Sequence, residues 1–169
     1  MKTIEENERK YLISKNQKEE TWEREHIVYQ WFLEKNAQGS VKEKIIFDLT
    51  RAQIIYARIS KVSCGEGKNH KNVEYLDIRG FSPEKMVGIP FVLKRRSIRE
   101  KVFLDRFLRS NGVTEYLLEY EGENFENATL QSFGTLEDVT GDRRYYNQNM
   151  CIPFSQTDAD QLRFLLDIF

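Results

Sequence analysis

The sequence predicts a mainly β fold, a closed or nearly closed antiparallel barrel with few helices. Runs rich in β-branched and aromatic residues recur at short intervals, and turn residues separate them, as expected for sequential antiparallel strands. The clearest helical pattern is confined to residues 157–169. With 169 residues, 31% of them charged and 12% aromatic, the chain is predicted to fold as one globular domain.

Predicted strands occupy much of the first half of the chain. They lie at residues 3–13, 27–33, 43–49, 54–62 and 73–78. Apolar and β-branched side chains predominate in these runs or alternate with polar ones. The polar residues 14–25 are predicted as a short helix with Trp22 as its anchor. Gly65, Gly67 and Asn69 predict a loop over residues 64–72, because these residue types favour turns.

The second half continues the pattern of strands and turns. Strands are predicted at residues 91–98 and 116–121, and residues 102–109 fit either a strand or a short helix. Turns are predicted at Asn111-Gly112 and at Thr140-Gly141-Asp142.

Two helix starts are visible in this half. Ser82 precedes Pro83 and Glu84, which is the order of an N-cap, a first-turn proline and an acidic first turn. The C-terminal helix has Thr157 as its candidate cap. One apolar stripe along that helix consists of Leu162, Leu165, Leu166 and Phe169.

Charge and cysteine content exclude several classes of protein. The net charge of −1 argues against a generally basic nucleic-acid-binding protein, so a polyanion site needs a local concentration of lysine and arginine. Cys64 and Cys151 lie far apart and form no zinc-binding pattern. We see no signal peptide and no apolar run long enough to span a membrane, so we expect a cytoplasmic protein without a membrane partner.

Acidic side chains alternate along two predicted strands. Successive side chains of a strand point to opposite faces, so Glu6, Glu8 and Lys10 share one face. Glu119 and Glu121 form a second pair with the same spacing. A charged strand face is most often solvated, but charges enclosed in a barrel need compensation. A divalent cation on the glutamates and an anion on the lysine would provide it.

Basic side chains concentrate on other strands. Pairs that share a strand face are Lys42 with Lys44 and Lys94 with Arg96. Arg58 and Lys61 are three residues apart, so a regular strand points them to opposite faces. Each basic face fits a solvent-exposed surface when taken alone. The sorting of acidic and basic pairs onto different strands instead favours a barrel that holds a divalent metal against polyphosphate oxygens.

Short motifs follow one another in order over residues 3–152. They are ENERKYLI at 6–13, YQWFL at 29–33, KEK at 42–44, RISK at 58–61, Glu74, FVLKRR at 91–96, LDRF at 104–107, LEYE at 118–121 and DVTGDRRYYN at 138–147. This series resembles the CYTH domain of the triphosphate tunnel metalloenzyme superfamily, which opens with ExExK and ends near EVTGDxRYYN. Lys42 and Lys44 stand where that family commonly has Arg-x-Arg, and Trp31 stands where glycine is usual.

The resemblance implies an eight-stranded antiparallel tunnel that binds a triphosphate and one or two divalent cations. The metal ligands it implies are Glu6, Glu8, Glu119 and Glu121, with Asp105 and Asp138 as secondary candidates. The phosphate-binding residues it implies are Lys10, Lys42, Lys44, Arg58, Lys61, Lys94, Arg96 and Arg143. The candidates for catalysis are Glu6, Glu8, Lys10 and Lys61. Mg²⁺ or Mn²⁺ is the expected cofactor, because hard divalent cations prefer carboxylate and phosphate oxygens.

Three functions fit this resemblance. The first is a metal-dependent triphosphate phosphohydrolase acting on inorganic tripolyphosphate or on a nucleoside or thiamine triphosphate. The second is a class IV adenylate cyclase, which makes cyclic AMP and pyrophosphate from ATP. The third is a non-catalytic module that binds polyphosphate or a nucleotide. His26 and His70 are expected to have structural or surface roles, and the apolar C-terminal stripe allows a homodimer.

Overall fold

A computed structural model confirms the mainly antiparallel β fold with few helices. It describes residues 8–13, 21–63, 69–122, 132–134 and 136–169. The strands in this part of the chain are β1 (Glu8–Ile13), β2 (Arg24–Asn36), β3 (Gly39–Asp48), β4 (Gln53–Ser63), β5 (Asn69–Leu76), β6 (Pro90–Arg99), β7 (Val102–Arg109), β8 (Tyr116–Glu121), β9 (Leu136–Asp138) and β10 (Ile152–Pro153).

These strands form one ten-stranded sheet that curves around a cavity. The strand order is β5-β4-β3-β2-β6-β7-β8-β1-β9, and β10 pairs with β6. Strands β1 to β8 correspond to the eight predicted strands, and the short strands β9 and β10 extend the sheet beyond them. Within the described residues the sheet is open, because β5 and β9 lie at its two ends.

The helices are few and lie late in the chain. The two described α-helices are α1 (Asn147–Met150) and α2 (Gln156–Ile168). Helix α2 begins after Ser155, not at the predicted cap Thr157. The Ser155 hydroxyl accepts the backbone N–H of Asp158, and the Asp158 carboxylate accepts the backbone N–H of Ser155. This reciprocal pair satisfies two donors at the helix start, which explains the earlier boundary.

The outer face of the sheet carries the largest hydrophobic core. Tyr29 and Trp31 of β2 point away from the cavity and are 2% and 0% exposed. The Phe154 ring packs edge-on at 5.4 Å from the Trp31 centroid and at 4.8 Å from the Phe91 centroid. Leu162 of α2 belongs to the same cluster, so α2 covers this face. Trp31, despite its size, therefore does not enter the cavity.

The structure decides one open alternative and changes two predicted segments. Residues 102–109 form strand β7, the first of the two alternatives. The predicted loop at 64–72 ends earlier, because β5 begins at Asn69 and pairs with β4. The helix predicted over 14–25 is wrong at its end, because β2 begins at Arg24, and residues 14–20 lie outside the described residues. Trp22 stacks on Phe133 at 5.7 Å just before β2. A 3₁₀ helix follows Ser82 at Pro83–Met86, as predicted for a helix start.

No helix in the described part of the chain is both long and apolar enough to cross a membrane.

Candidate functional site

The inner faces of the strands enclose a cavity of about 790 Å³. Alternate residues of β1, β2, β3, β6 and β8 form its wall, as the two-residue period of a strand requires. Among the described residues, nine basic side chains line it: Lys10, Arg24, Lys35, Lys42, Lys44, Lys61, Lys71, Lys94 and Arg96. Three carboxylates in the same part of the chain line it as well: Glu8, Glu119 and Glu121. The wall therefore carries a large excess of positive charge.

Most of the predicted site residues meet in this cavity. They are Glu8, Lys10, Lys42, Lys44, Lys61, Lys94, Arg96, Glu119 and Glu121. Glu6, predicted as a metal ligand and a catalytic residue, lies outside the described residues. These residues therefore line one cavity, while their roles in binding and catalysis stay predictions.

Strands β1 and β8 place the carboxylates at one part of the wall. In their antiparallel register Glu8 lies opposite Glu121, and Lys10 lies opposite Glu119. Lys10 Nζ is 3.8 Å from Glu8 Oε1 and 3.8 Å from Glu119 Oε1. The same ammonium donates to the Tyr145 carbonyl at 3.3 Å. Lys10 thus lies between two carboxylates, while Glu8 and Glu121 oppose each other as like charges.

Strand β6 contributes two cations that Asp105 of β7 holds in place. Lys94 Nζ donates to Asp105 Oδ2 at 2.8 Å, and Arg96 Nε donates to Asp105 Oδ1 at 2.7 Å. Arg96 Nη2 also donates to Glu119 Oε2 at 3.0 Å. Burial opposes ionisation of Glu119, but the neighbouring cations Arg96, Lys94 and Lys10 lower its pKa below the usual range. Glu119 is therefore an ionised carboxylate beside the cavity.

The opposite part of the wall, on β3, β4 and β5, is dominated by lysine. Burial lowers the pKa of Lys42 well below its ordinary value, and Lys61, Lys44, Lys71 and Lys94 lower it further. Burial also lowers the pKa of Lys44 to about 7, together with Arg96, Lys71 and Lys94, against a smaller opposing effect of Glu121. These ammonium groups repel one another, so an anion between them would be strongly stabilised.

Four predicted site residues do not line the cavity. Arg58 Nη2 binds Glu43 Oε1 at 2.6 Å on the outer face, because its three-residue separation from Lys61 reverses its direction. Asp105 lies behind the wall, where Lys94 and Arg96 occupy its carboxylate oxygens. The assignments of Arg58 to phosphate and of Asp105 to metal are therefore corrected.

Asp138 and Arg143 are also placed away from the cavity wall. The Asp138 side chain is 51% exposed, lies 4.0 Å from Arg9 and accepts the backbone N–H of Thr140. Its strand partner is Tyr11, whose side chain belongs to a core cluster on the outer face. Arg143 is exposed at the start of a 3₁₀ helix. Neither residue lines the cavity, and their predicted roles in metal and phosphate binding stay predictions.

The described carboxylates offer few protein ligands to a divalent cation. Within the described ranges no group of three or more His, Cys, Asp or Glu side chains is arranged to hold a metal ion. Glu8 and Glu121 nevertheless face each other across paired strands, and Lys10 lies between Glu8 and Glu119. Glu8 and Glu121 repel each other as like charges, and a cation bound between them would relieve that repulsion. Mg²⁺ suits such a site, because it commonly combines one or two carboxylates with waters and phosphate oxygens.

Comparison with known proteins finds similarity only at the level of structure. No protein-family model and no curated protein matches the chain. A crystal structure of the inorganic triphosphatase NE1496 is similar, with 18% identity, a TM-score of 0.49, and coverage of 86% of this chain and 98% of that one. A crystal structure of the hypothetical protein NE1496 gives 20% identity, a TM-score of 0.47, and coverage of 85% and 95%. With TM-scores this low, neither similarity bears on the activity of the present chain.

Several cavity residues escaped the sequence analysis. Arg24 and His26 precede Gln30 at the two-residue spacing of the inner face, but Arg24 lies in the helix predicted over 14–25 and His26 lies just before the strand predicted over 27–33. Lys71 lies opposite Lys61 and faces the cavity, while the neighbouring Asn72 points away. Lys71 was missed because the sequence predicts a loop at 64–72. Extending each strand backward at a period of two would have found all three.

Proposed function

We propose that this protein is a metal-dependent phosphohydrolase that acts on a small molecule containing a triphosphate. Inorganic tripolyphosphate and a nucleoside or thiamine triphosphate are the substrates considered. The proposal rests on the lysines of β3, β4 and β5 that line the cavity: Lys42, Lys44, Lys61 and Lys71. Burial and four cationic neighbours all lower the pKa of Lys42, and a bound polyanion would relieve this repulsion. A linear phosphate chain supplies several negative charges along one direction, and so matches a cavity lined from several strands.

The basic residues have distinct capabilities in this reaction. Asp105 and Glu119 hold the Arg96 guanidinium through its Nε and Nη2, so Nη1 is the group that would donate to a phosphate. The lysines act as point charges that neutralise the remaining oxygens. Phosphoryl transfer depends mainly on alignment and on neutralising charge, so positioned cations supply much of what it requires.

The carboxylates would hold the divalent cation. Glu8, Glu119 and Glu121 are the described candidates, with Glu6 as a further predicted ligand. The bound ion would supply charge neutralisation on the phosphate chain and a polarised phosphorus–oxygen bond. Lys10, between Glu8 and Glu119, keeps these carboxylates from repelling one another and orients them toward the cavity.

The test is a turnover panel with tripolyphosphate, ATP, GTP and thiamine triphosphate, with Mg²⁺ and Mn²⁺ supplied separately. Products are separated by chromatography. We expect release of phosphate that requires the metal and is lost with a chelator. Lys42→Met should weaken substrate binding, whereas Lys85→Met, at an exposed position outside the cavity, should not.

The other outcomes distinguish the alternatives. Cyclic AMP plus pyrophosphate would replace hydrolysis with a cyclase reaction. Thermal stabilisation by tripolyphosphate without turnover of any substrate would indicate a binding module. If tripolyphosphate neither stabilises the protein nor is turned over, an anion-binding cavity is excluded.

A further inference from the structure

Four side chains form a row across neighbouring strands. Asp48 of β3 lies opposite His26 of β2, His26 lies opposite Arg96 of β6, and Arg96 lies opposite Asp105 of β7. Directly opposed residues of antiparallel strands have Cβ atoms about 4.5–5.5 Å apart, so adjacent members of the row can interact. The row combines a carboxylate, an imidazole, a guanidinium and a second carboxylate. The sequence predicted only a structural or surface role for its histidine.

The row holds His26 at the cavity wall. His26 lines the cavity and is 8% exposed. Its Nε2 lies 3.5 Å from Asp48 Oδ2 and has no hydrogen-bond partner in the described part of the chain. Asp48 is itself fixed, since its Oδ1 accepts the backbone N–H groups of Thr50 and Arg51 at 3.0 Å each. The carboxylate therefore lies beside the imidazole while retaining its place in the β3–β4 turn.

The other neighbour of His26 is a residue suited to phosphate. Arg96 makes two hydrogen bonds to Asp105 and one to Glu119, which fix its guanidinium beside the cavity. His26 and Arg96 line the same cavity from directly opposed positions of β2 and β6, so a phosphate chain that fills this part of the cavity would contact both. A histidine between a carboxylate and an anion can move a proton during catalysis.

We propose that His26 is a general base of the proposed phosphohydrolase and takes the proton from the water that attacks the phosphate bound at Arg96. The inference rests on the proposed function. The water oxygen forms a bond to phosphorus, and the bond from phosphorus to the bridging oxygen breaks. The electron pair leaves with the bridging oxygen of the departing phosphate. The water proton passes to the imidazole, which then returns it to solvent or to the leaving group.

The charges around His26 agree with this role. Burial lowers the pKa of His26 below 6.5, Arg24 on its own strand and Arg96 on β6 lower it further, and Asp48 on β3 opposes them. The imidazole is therefore neutral at neutral pH and able to accept a proton. A bound phosphate chain adds negative charge nearby and favours the protonated form that the reaction produces.

The first test compares His26→Gln with the matched variant His70→Gln, since the chain has only two histidines and His70 is exposed. We expect His26→Gln to lower kcat by roughly 10²–10⁴-fold while tripolyphosphate binding, read by thermal shift, is retained. It should also remove the acid limb of the pH–rate profile. Asp48→Asn keeps the oxygen that caps the turn but loses the acceptor facing His26, and should shift that limb to lower pH. His70→Gln should leave rate and profile unchanged.

The second test needs no turnover. Proton NMR of the unsubstituted protein follows the two imidazole signals against pH, and His70→Gln assigns them. Tripolyphosphate should raise the pKa of His26 and leave that of His70 unchanged. The inference is overturned if His26→Gln keeps the kcat and pH profile of the unsubstituted protein, or if tripolyphosphate binds without moving the His26 signal. No turnover by the unsubstituted protein would overturn the proposed function together with this inference.

Discussion

Lys94 and Asp105 form an ion pair with almost no access to solvent. The two side chains are 2% and 0% exposed, and Nζ lies 2.8 Å from Oδ2. Asp105 accepts from Arg96 as well, so one carboxylate supports two cations of the cavity wall. Its contribution is structural, although its sequence motif suggested a metal ligand.

Asp105→Asn is expected to destabilise the protein strongly. The substitution leaves the buried Lys94 without its paired carboxylate and removes one of the two carboxylates that hold Arg96. Removing one partner of a buried pair costs on the order of 3–5 kcal/mol. Urea denaturation measures the free energy of unfolding. Asp167→Asn, at an exposed position near the end of α2, should stay within about 0.5 kcal/mol of the unsubstituted protein. Equal effects of the two substitutions would contradict the ion-pair network.

Substitutions of Arg58 and Lys61 are expected to have different effects, the first on stability and the second on tripolyphosphate affinity. Arg58→Ala removes a partner of Glu43, which is 4% exposed but keeps the hydrogen bond from Tyr56, so we expect a loss of about 1–3 kcal/mol in stability. Tripolyphosphate affinity should not change. Lys61→Ala should instead weaken that affinity, increasingly so at low salt. Calorimetric titration and thermal melts check both, and a reversed pattern would mean that the register of β4 is wrong.

The pKa of Lys44 predicts a pH dependence of stability. That pKa is about 7 in the folded chain, against an ordinary value of 10.5. Below pH 7 the ammonium is charged in both the folded and the unfolded state, and its burial is unfavourable. Between pH 7 and 10.5 the folded state releases the proton while the unfolded state keeps it. The Lys44 contribution to stability therefore rises with pH across this window, and Lys44→Met should remove that part of the slope in urea denaturation.

The same residue predicts proton uptake on binding. A phosphate chain beside Lys44 favours the charged ammonium, so binding near pH 8 should draw protons from the buffer. Calorimetry in buffers with different ionisation enthalpies measures this uptake. It should fall in Lys44→Met and persist in Lys85→Met. Binding of tripolyphosphate without any proton uptake would contradict the lowered pKa of Lys44.

Phe154 is expected to be important for the contact between α2 and the sheet. Its side chain is 1% exposed and packs against Trp31 and Phe91, so Phe154→Ala should cost about 3–5 kcal/mol of stability. Phe164 of α2 is 63% exposed, and Phe164→Ala should change stability by no more than about 0.5 kcal/mol. Thermal melts compare the two truncations. A small effect at Phe154 would indicate that α2 does not depend on this contact.

The sequence predicted much of the fold because strand alternation is a local property. The faces of Lys42 and Lys44, and of Lys94 and Arg96, follow directly from the period of two. The opposite directions of Arg58 and Lys61 were predicted by the same rule, although the family motif grouped them. The rule applied to the residues was more accurate here than the motif.

Other features depend on contacts between distant parts of the chain. Asp105 forms ion pairs with Lys94 and Arg96 of the neighbouring strand and so has no free oxygen for a metal. Residue spacing alone does not reveal these partners. Asp48, which lies 22 positions further along the chain, becomes a neighbour of His26 only because β2 pairs with β3. Strand pairing, and not local pattern, creates such neighbours, so these assignments required the structure.

The alternation along β2 also limits how this chain can change in evolution. A one-residue insertion before Gln30 would turn Trp31 into the cavity and move the polar inner side chains toward the aromatic core, because a shift of one reverses every later side chain. Binding and stability would fail together, whereas a substitution alters one face at a time. The sheet already tolerates register shifts at Phe32/Glu34 and at Leu93/Lys94. Length variants among descendants of this sequence are therefore expected at those bulges and in the turn between β2 and β3.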